Sequence, residues 1–349
     1  MSGRLKLRRG VVVTEEPLTI EVDGERRSAW ADVYLLGEMR EGDEVIVNVE
    51  ALDLRLGSGG FDIVHANLTR GLQGGGGQGE HVMKLNYTSL QHAVEPAEIP
   101  VPGATGTRAE ATSLSMPVLV LPLHGHLAPA AWAAQQASPG LKAGYVQTGG
   151  GALPGSFSRD VADLRARDLL CGHITASPSY GGEHEALSVA GALEAASERL
   201  GWDAVLAGPG PGIIGSETRL GHGGIAALDV AHAALALSAP TLLSPRLSCA
   251  DPRERHRGAS HHTLTVMELL LAGVEVPVPD PASIEGLEGA IADLEKAAGK
   301  RHRLSERPFD LSAYAASGLP TRTMGRGIEE DPLFFAAPLA AGAALRRKG

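Results

Sequence analysis

Along the first 95 residues the apolar positions fall in short runs, at 5–13, 18–22, 30–36 and 44–49, rich in Val, Leu and Ile. Asp23-Gly24 and Gly42-Asp43 punctuate these runs as turns. Further runs at 63–68 and 82–87 flank a loop at 71–79 built around Gly74-Gly75-Gly76-Gly77, a pattern that predicts a long hairpin with a glycine tip. Six short strands at this spacing predict a small barrel or curled sheet over residues 1–95. Residues 96–115 carry Pro, Gly, Thr and Glu without a period and read as a linker.

From Met116 the pattern becomes strand, helix, strand, repeated. Strands are expected at 118–121, 143–146, 173–176, 204–207, 241–243 and 274–278, with helices at 128–137, 158–170, 185–200, 225–237 and 263–271. This alternation predicts a parallel sheet covered by helices on both faces. The expected architecture is α/β: a doubly wound, mostly parallel Rossmann-like sheet over 116–280, preceded by the small β domain. Residues 281–349 read as a helical extension packed on the sheet domain, with helices at 284–298 and after Pro332.

The expected strand-to-helix loops have unusual contents. The first four hold His124-Gly125-His126, then Thr148-Gly149-Gly150, then Gly181-Gly182-Glu183, then Gly210-Pro211-Gly212 running on to Thr218-Arg219. The fifth runs through Asp251, Arg253, Arg255 and Arg257 to His261-His262. Seven of the 13 histidines sit in these loops, while the opposite edge is bland. In an open parallel sheet such loops share the carboxyl edge, where ligands bind. Glycine there lets backbone N–H groups approach a ligand, and arginine forks match carboxylate or phosphate. Ser260 is placed to cap the helix that follows, so His261 and His262 would occupy its first turn, where the positive helix end favours the neutral imidazole.

The expected acid/base set is therefore His124, His261, His262 and Asp251. The expected ligand-binding set is Thr148, Gly149, Gly150, Gly181, Gly182, Glu183, Gly210, Gly212, Thr218, Arg219, Arg253, Arg255 and Arg257. The run Gly210 to Gly215 formally matches G-x-G-x-x-G, but it follows the fourth strand, and Pro209 and Pro211 remove donors that a phosphate cradle needs. Glu183 and Glu185 read as favourable charge at a helix start. His124-x-His126 with Asp251 and the His261-His262 pair would make a mixed metal set, but His184-Glu185 lacks the second histidine of H-E-x-x-H, and no metal or cofactor is assigned.

Composition narrows the class. The net charge of −10 disfavours nucleic acid as a partner. The apolar stretches near 116–123 and 333–345 are too short to span a bilayer, so no membrane is expected. Cys171 and Cys249 match no metal or redox spacing, and the first residues lack a signal-peptide pattern, so a reducing cytoplasm is expected. A homo-oligomer is left open.

Several motifs together resemble a bacterial family known as domain of unknown function 3866. They are Leu56-Gly57-Ser58-Gly59-Gly60, Tyr180-Gly181-Gly182-Glu183, the stretch from Gly210 to Gly221, the stretch from Arg246 to Thr263, and Thr323-Met324-Gly325-Arg326-Gly327 with Glu330-Asp331-Pro332. The family pattern has serine where His126 stands, which argues against a His124-x-His126 metal pair, and tends to have Phe where Tyr180 and Cys249 stand. The resemblance implies a shared fold and shared loops, and supplies no substrate. Arg326 joins the site only if the tail folds back to the carboxyl edge. The expected function is an enzyme, a hydrolase or group transferase, acting on a small anionic metabolite; the alternative is a non-enzymatic ligand sensor or assembly protein.

Overall fold

The computed structural model describes residues 3–56, 59–77, 80, 82–98, 113–280, 282, 284 and 286–346. Its contacts divide the chain into two units, Met1–Val94 and Glu95–Gly349. Most of the stretch read as a linker (99–112), Gly57-Ser58 of the first family motif, and positions 78–79 of the glycine loop lie outside the described residues.

In the first unit, strands β1 (Leu7–Thr14), β2 (Thr19–Val22), β3 (Glu25–Trp30), β4 (Glu44–Asn48) and β5 (Asp62–Asn67) close a barrel in the order β1-β2-β3-β5-β4. Val12, Ile20, Val22, Val45, Val47 and Val64 fill it. Asp23 and Gly24 both have positive φ, the backbone of a tight hairpin turn, and this turn folds β3 onto β2 although β3 is largely polar. The apolar run at 30–36 is not a strand. The chain leaves the sheet after Trp30, and Asp32 caps a one-turn helix, α1 (Val33–Leu36), by accepting from Tyr34 N. The short helix α2 (Glu50–Asp53) follows β4. The expected long hairpin is also replaced: β5 pairs inside the barrel, whereas β6 (Val82–Lys84) pairs with β7 (His92–Val94).

The second unit holds one parallel sheet of eight strands. They are β8 (Val118–Val120), β9 (Ala143–Thr148), β10 (His173–Ala176), β11 (His184–Ala186), β12 (Ala204–Pro209), β13 (Thr241–Leu243), β16 (Glu275–Pro279) and β17 (Arg303–Arg307), with the short pair β14 (Leu247–Ser248) and β15 (Gly258–Ala259) outside it. The order is β11-β10-β9-β12-β8-β13-β16-β17. Strands such as β9 and β12 are buried at every position, which is why they read as unbroken apolar runs. Gly144 in β9 leaves room for the Trp202 ring, which a Cβ there would meet at 2.2 Å.

Helices α3 (Leu127–Ala137), α4 (Arg159–Ala166), α9 (Leu311–Ala315) and α10 (Pro332–Ala343) cover one face through Leu127, Leu164, Tyr314 and Phe335. Helices α5 (Val189–Glu198), α6 (Ala226–Ala236), α7 (His261–Leu269) and α8 (Leu287–Ala298) cover the other through Leu193, Val230, Val266 and Leu294. Helix α5 starts later than the pattern suggests. Residues 184–186 extend the sheet beside β10, and Ser188 caps α5 by accepting from Gly191 N. The tail beyond residue 280 adds the strand β17 to the sheet as well as helices. Among the described residues no helix is long and apolar enough to cross a membrane.

The strand order reverses at β8. The chain runs outward from β9 to β11, returns to β12 on one side of β8, and then continues from β13 outward on the other. In open α/β sheets the crevice at such a reversal is where ligands bind.

Candidate functional site

A cleft of about 450 Å³ lies at this reversal. Its walls come from the loops after three adjacent strands: Leu123 to Gly125 after β8, Pro211 to His222 after β12, and Arg246 to His262 after β13. Arg322, Thr323 and Met324 close it from the tail, so the tail does return to the carboxyl edge. Four arginines (Arg246, Arg253, Arg255 and Arg322) and five histidines line this one cleft. A neighbouring crevice of about 500 Å³, lined mainly by Gly150, Gly151, Gly212, Gly215 and Gly221 to Gly223, shares His222 with it.

Asp251 organises the arginines. Its carboxylate is fully buried. Arg253 binds it in a fork, Nε to Oδ1 at 2.9 Å and Nη2 to Oδ2 at 2.9 Å. Arg246 Nη2 reaches Oδ2 at 3.1 Å and Arg326 Nη2 at 3.4 Å. Burial would raise this carboxyl group, but the bonds from Arg253 and the charge of Arg246 outweigh it and hold the group well below the usual range. A carboxylate so committed is a poor proton acceptor, which speaks against the acid/base role expected of Asp251; its bonds hold three guanidiniums together. Arg326 also binds Asp331, which further accepts from Ser248 Oγ, Cys249 N and the Cys249 thiol. Two buried carboxylates thus tie the loop after β13 to the tail.

Arg246 itself is buried, and burial lowers it to about 10, leaving it cationic at neutral pH. Its Nε has no hydrogen-bond partner. Arg255 is the least committed of the cleft's guanidiniums, half-exposed and only 3.8 Å from Glu217. Arg257 and Arg219 turn away: Arg257 Nε donates to the Asp251 carbonyl, and Arg219 pairs with Glu268 on the surface. Thr218 lines the cleft but its hydroxyl is engaged by Gly221 N and Ser216.

The histidines form a packed cluster. Ser260 caps α7, accepting from His262 N, and its Oγ also pairs with His256 Nδ1 at 2.7 Å. His222 and His262 stack with ring centres 3.6 Å apart and 5° between planes. His261 meets both rings edge-on, at 5.5 and 4.4 Å. Burial and the nearby guanidiniums push all of them down, His256 to about 3 and His262 to about 2. They are neutral imidazoles at neutral pH, able to accept a proton or offer a lone pair.

His124 also lines the cleft, but both its nitrogens are engaged: Nε2 with Ser158 Oγ at 2.7 Å and Nδ1 with the Pro209 carbonyl at 3.3 Å. Burial lowers it. His126 pairs with Ser244 Oγ, and burial lowers it to about 3; it does not line the cleft with His124.

The expectation that all five loops share one cleft is met by three. The strands β9 and β10 lie two and three positions from β8, on the order of 10–15 Å away at the usual strand spacing. Thr148 bonds to the Gly149 carbonyl, and Gly149 packs on the Pro178 ring. Gly181 N and Thr175 Oγ1 donate to Glu185, which sits in β11 rather than at a helix start. Gly182 N donates to Thr175 Oγ1, and Glu183 pairs with Arg165. Gly210 packs against the Ala152 carbonyl. Residues that the sequence reasoning left out are His222, Arg246, His256 and the tail segment Arg322 to Met324. Their signals were proximity to a strand end for Arg246 and the glycines around His222.

A family model described as Protein of unknown function (DUF3866) matches residues 28–342. The chain belongs to this family. Comparison with curated proteins and with solved structures found no match. In this DUF3866 chain, the stretch from Arg246 to Thr263 supplies most of the cleft's arginines and histidines, and the stretch around Met324 supplies its closing segment.

Proposed function

We propose that the second unit is an enzyme, a hydrolase or group transferase, that acts on a small anionic metabolite in the cleft above β12, β8 and β13. The observation that carries this reading is the convergence of Arg246, Arg253 and Arg255 with neutral His222, His261 and His262 in one cavity of about 450 Å³. Arginine forks recognise carboxylate or phosphate, and the glycine-lined crevice beside them adds backbone donors. The imidazoles are the groups placed to move a proton or hold an activating ion, because Asp251 behind the cleft is taken up by arginines, and Glu217, the acidic residue among the described lining residues, is solvent-exposed beside Arg255. Burial first, and guanidinium charge after it, holds the imidazoles neutral; an anion entering the cleft offsets the second of these and so eases their protonation.

A thermal-shift screen of phosphorylated and carboxylated metabolites, followed by turnover assays on the hits, tests the reading. Arg255→Gln is expected to weaken binding of a hit about tenfold, as loss of one charge-assisted bond does, with the melting temperature unmoved. Binding without turnover of any hit would favour the sensor reading. No stabilisation by any anion would remove the proposal.

A further inference from the structure

We propose that His222, His261 and His262 form a binding site for one divalent transition-metal ion of the zinc class. One nitrogen from each ring lies within 4.8 Å of the others. The site deepens the reading just given, since it lies in the same cleft, but it stands on separate observations.

The first is His222. Its Nε2 lies 3.0 Å from the Arg219 carbonyl, which can only accept, so Nε2 carries the proton and Nδ1 carries the lone pair. The side chain is 6% exposed, and Nδ1 has no partner. An imidazole whose far N–H is fixed by a backbone carbonyl while the near nitrogen stays bare is the usual preparation of a metal ligand. The second is His261, whose Nε2 is also buried without a partner. The third is Gly224. A Cβ there would lie 3.1 Å from His262 Nδ1 and 3.2 Å from His222 Nδ1, so glycine keeps open the approach to both nitrogens.

A lone pair lies in the plane of its ring, so rings stacked 5° from parallel do not aim at one point. Ligation therefore turns one ring. His222 is held by its bond to Arg219, whereas the contact of His262 Nδ1 with Arg246 Nη1 is 3.5 Å, so His262 is the ring that turns. Three neutral nitrogens select ions such as Zn²⁺ or Co²⁺ over Mg²⁺ and Ca²⁺, which take oxygen ligands. They leave a fourth position for water or an anion, where such an ion makes bound water more acidic.

The test uses the full chain without an affinity tag, stripped with chelator and titrated with Co²⁺. The expected result is one ion per chain, a visible ligand-field band of a four-coordinate site, and displacement by Zn²⁺. Asparagine and glutamine keep size and hydrogen bonding but ligate poorly. His261→Asn and His262→Gln should therefore each lower Co²⁺ affinity by more than about a hundredfold, beyond the loss that a supporting group causes. His184→Ala, on β11, should leave it unchanged. Absence of saturable Co²⁺ uptake, or uptake equal in both cluster variants and the parent, would overturn the site. Inorganic phosphate binding to the metal-free protein is followed separately by thermal shift. Phosphate binding without Co²⁺ binding sinks the metal site and spares the anion reading; Co²⁺ binding without phosphate binding does the reverse.

Discussion

The carboxyl edge of the sheet has two halves that look alike in sequence and differ in what their polar groups do. The loop after β10 spends its groups on itself. Glu185 accepts from Gly181 N at 2.5 Å and from Thr175 Oγ1 at 2.7 Å, and Gly182 N closes on the same threonine. The loops after β12 and β13 leave His222 Nδ1, His261 Nε2 and Arg246 Nε buried and unpartnered. Buried polar atoms are costly when unmet, and a native fold retains few of them. A closed network fits a loop that supports the fold; unmet atoms beside a cavity fit the ligand-binding role proposed above.

The sharpest way to break this contrast is a pair of variants. Glu185→Ala strips one buried and one half-buried donor of their acceptor and is expected to destabilise the protein by about 3 kcal/mol, roughly a 10 °C fall in melting temperature. Ligand binding by the folded fraction should be unchanged. His261→Ala is expected to do the opposite: abolish ligand binding or turnover and move the melting temperature by only a few degrees. Calorimetry with and without ligand reads both. If Glu185→Ala abolished ligand binding while the fold held, the division of the edge would be wrong.

Acid should separate the two units of the chain in the same way. His173 in β10 stacks on Tyr145 and holds Gln147 through Nε2, and burial first, then the neighbouring histidine and arginine charges, push it down to about 3. The unfolded chain takes up this proton near the ordinary value of about 6.5, while the folded chain refuses it until about 3. Its contribution to stability is therefore complete above pH 6.5 and is lost as pH falls toward 3, at up to about 1.4 kcal/mol per pH unit. In the first unit, the Arg70 bond keeps Asp43 below 3.8, so its contribution persists at pH 5. Hydrogen exchange of the full chain at pH 7 and pH 5, corrected for intrinsic rates, should show protection falling in β10 and holding in β4. Equal losses in both would contradict the assignment.

A finer test couples the two proposals. Three neutral ligands leave a bound dication beside Arg246 and Arg253 with its charge unmet, because Asp251 is fully engaged. An anion in the cleft would offset both charges. Inorganic phosphate should therefore tighten Co²⁺ binding about tenfold, and Co²⁺ should tighten phosphate binding by the same factor. Independent binding would show that the two ligands do not share the cleft.

Much of this was legible before any coordinates. Alternating strand and helix periods placed the loops on one edge, and the density of arginine and histidine between Asp251 and His262 picked out a segment that lines the cleft. Composition could not say which way a loop side chain turns. Glycine, glutamate and histidine crowd the loop after β10 as they crowd the others, yet that loop closes on Glu185 because residues 184–186 form a strand there. Nor does local pattern reveal that Asp251 sits among Arg246, Arg253 and Arg326, since Arg326 arrives from 75 residues away. Strand order decides which loops meet, and order is a property of long-range pairing that periodicity does not carry.

The smallest expected effect is also the most discriminating among arginines. Arg219 and Arg257 share their loops with the cleft residues, yet Arg219 pairs with Glu268 in the open and Arg257 holds a backbone carbonyl. A solvent-exposed ion pair contributes about 0–1 kcal/mol, so Arg219→Ala should change stability by less than about that amount. It should leave phosphate affinity within about twofold, where Arg255→Gln loses about tenfold, because the Arg219 guanidinium is already paired with Glu268 and solvent-exposed charge is further screened at physiological salt. Isothermal titration at that salt separates the outcomes. Equal losses for the two variants would mean that diffuse positive charge attracts the anion, and that the cleft itself, with its forks and imidazoles, is not what recognises it.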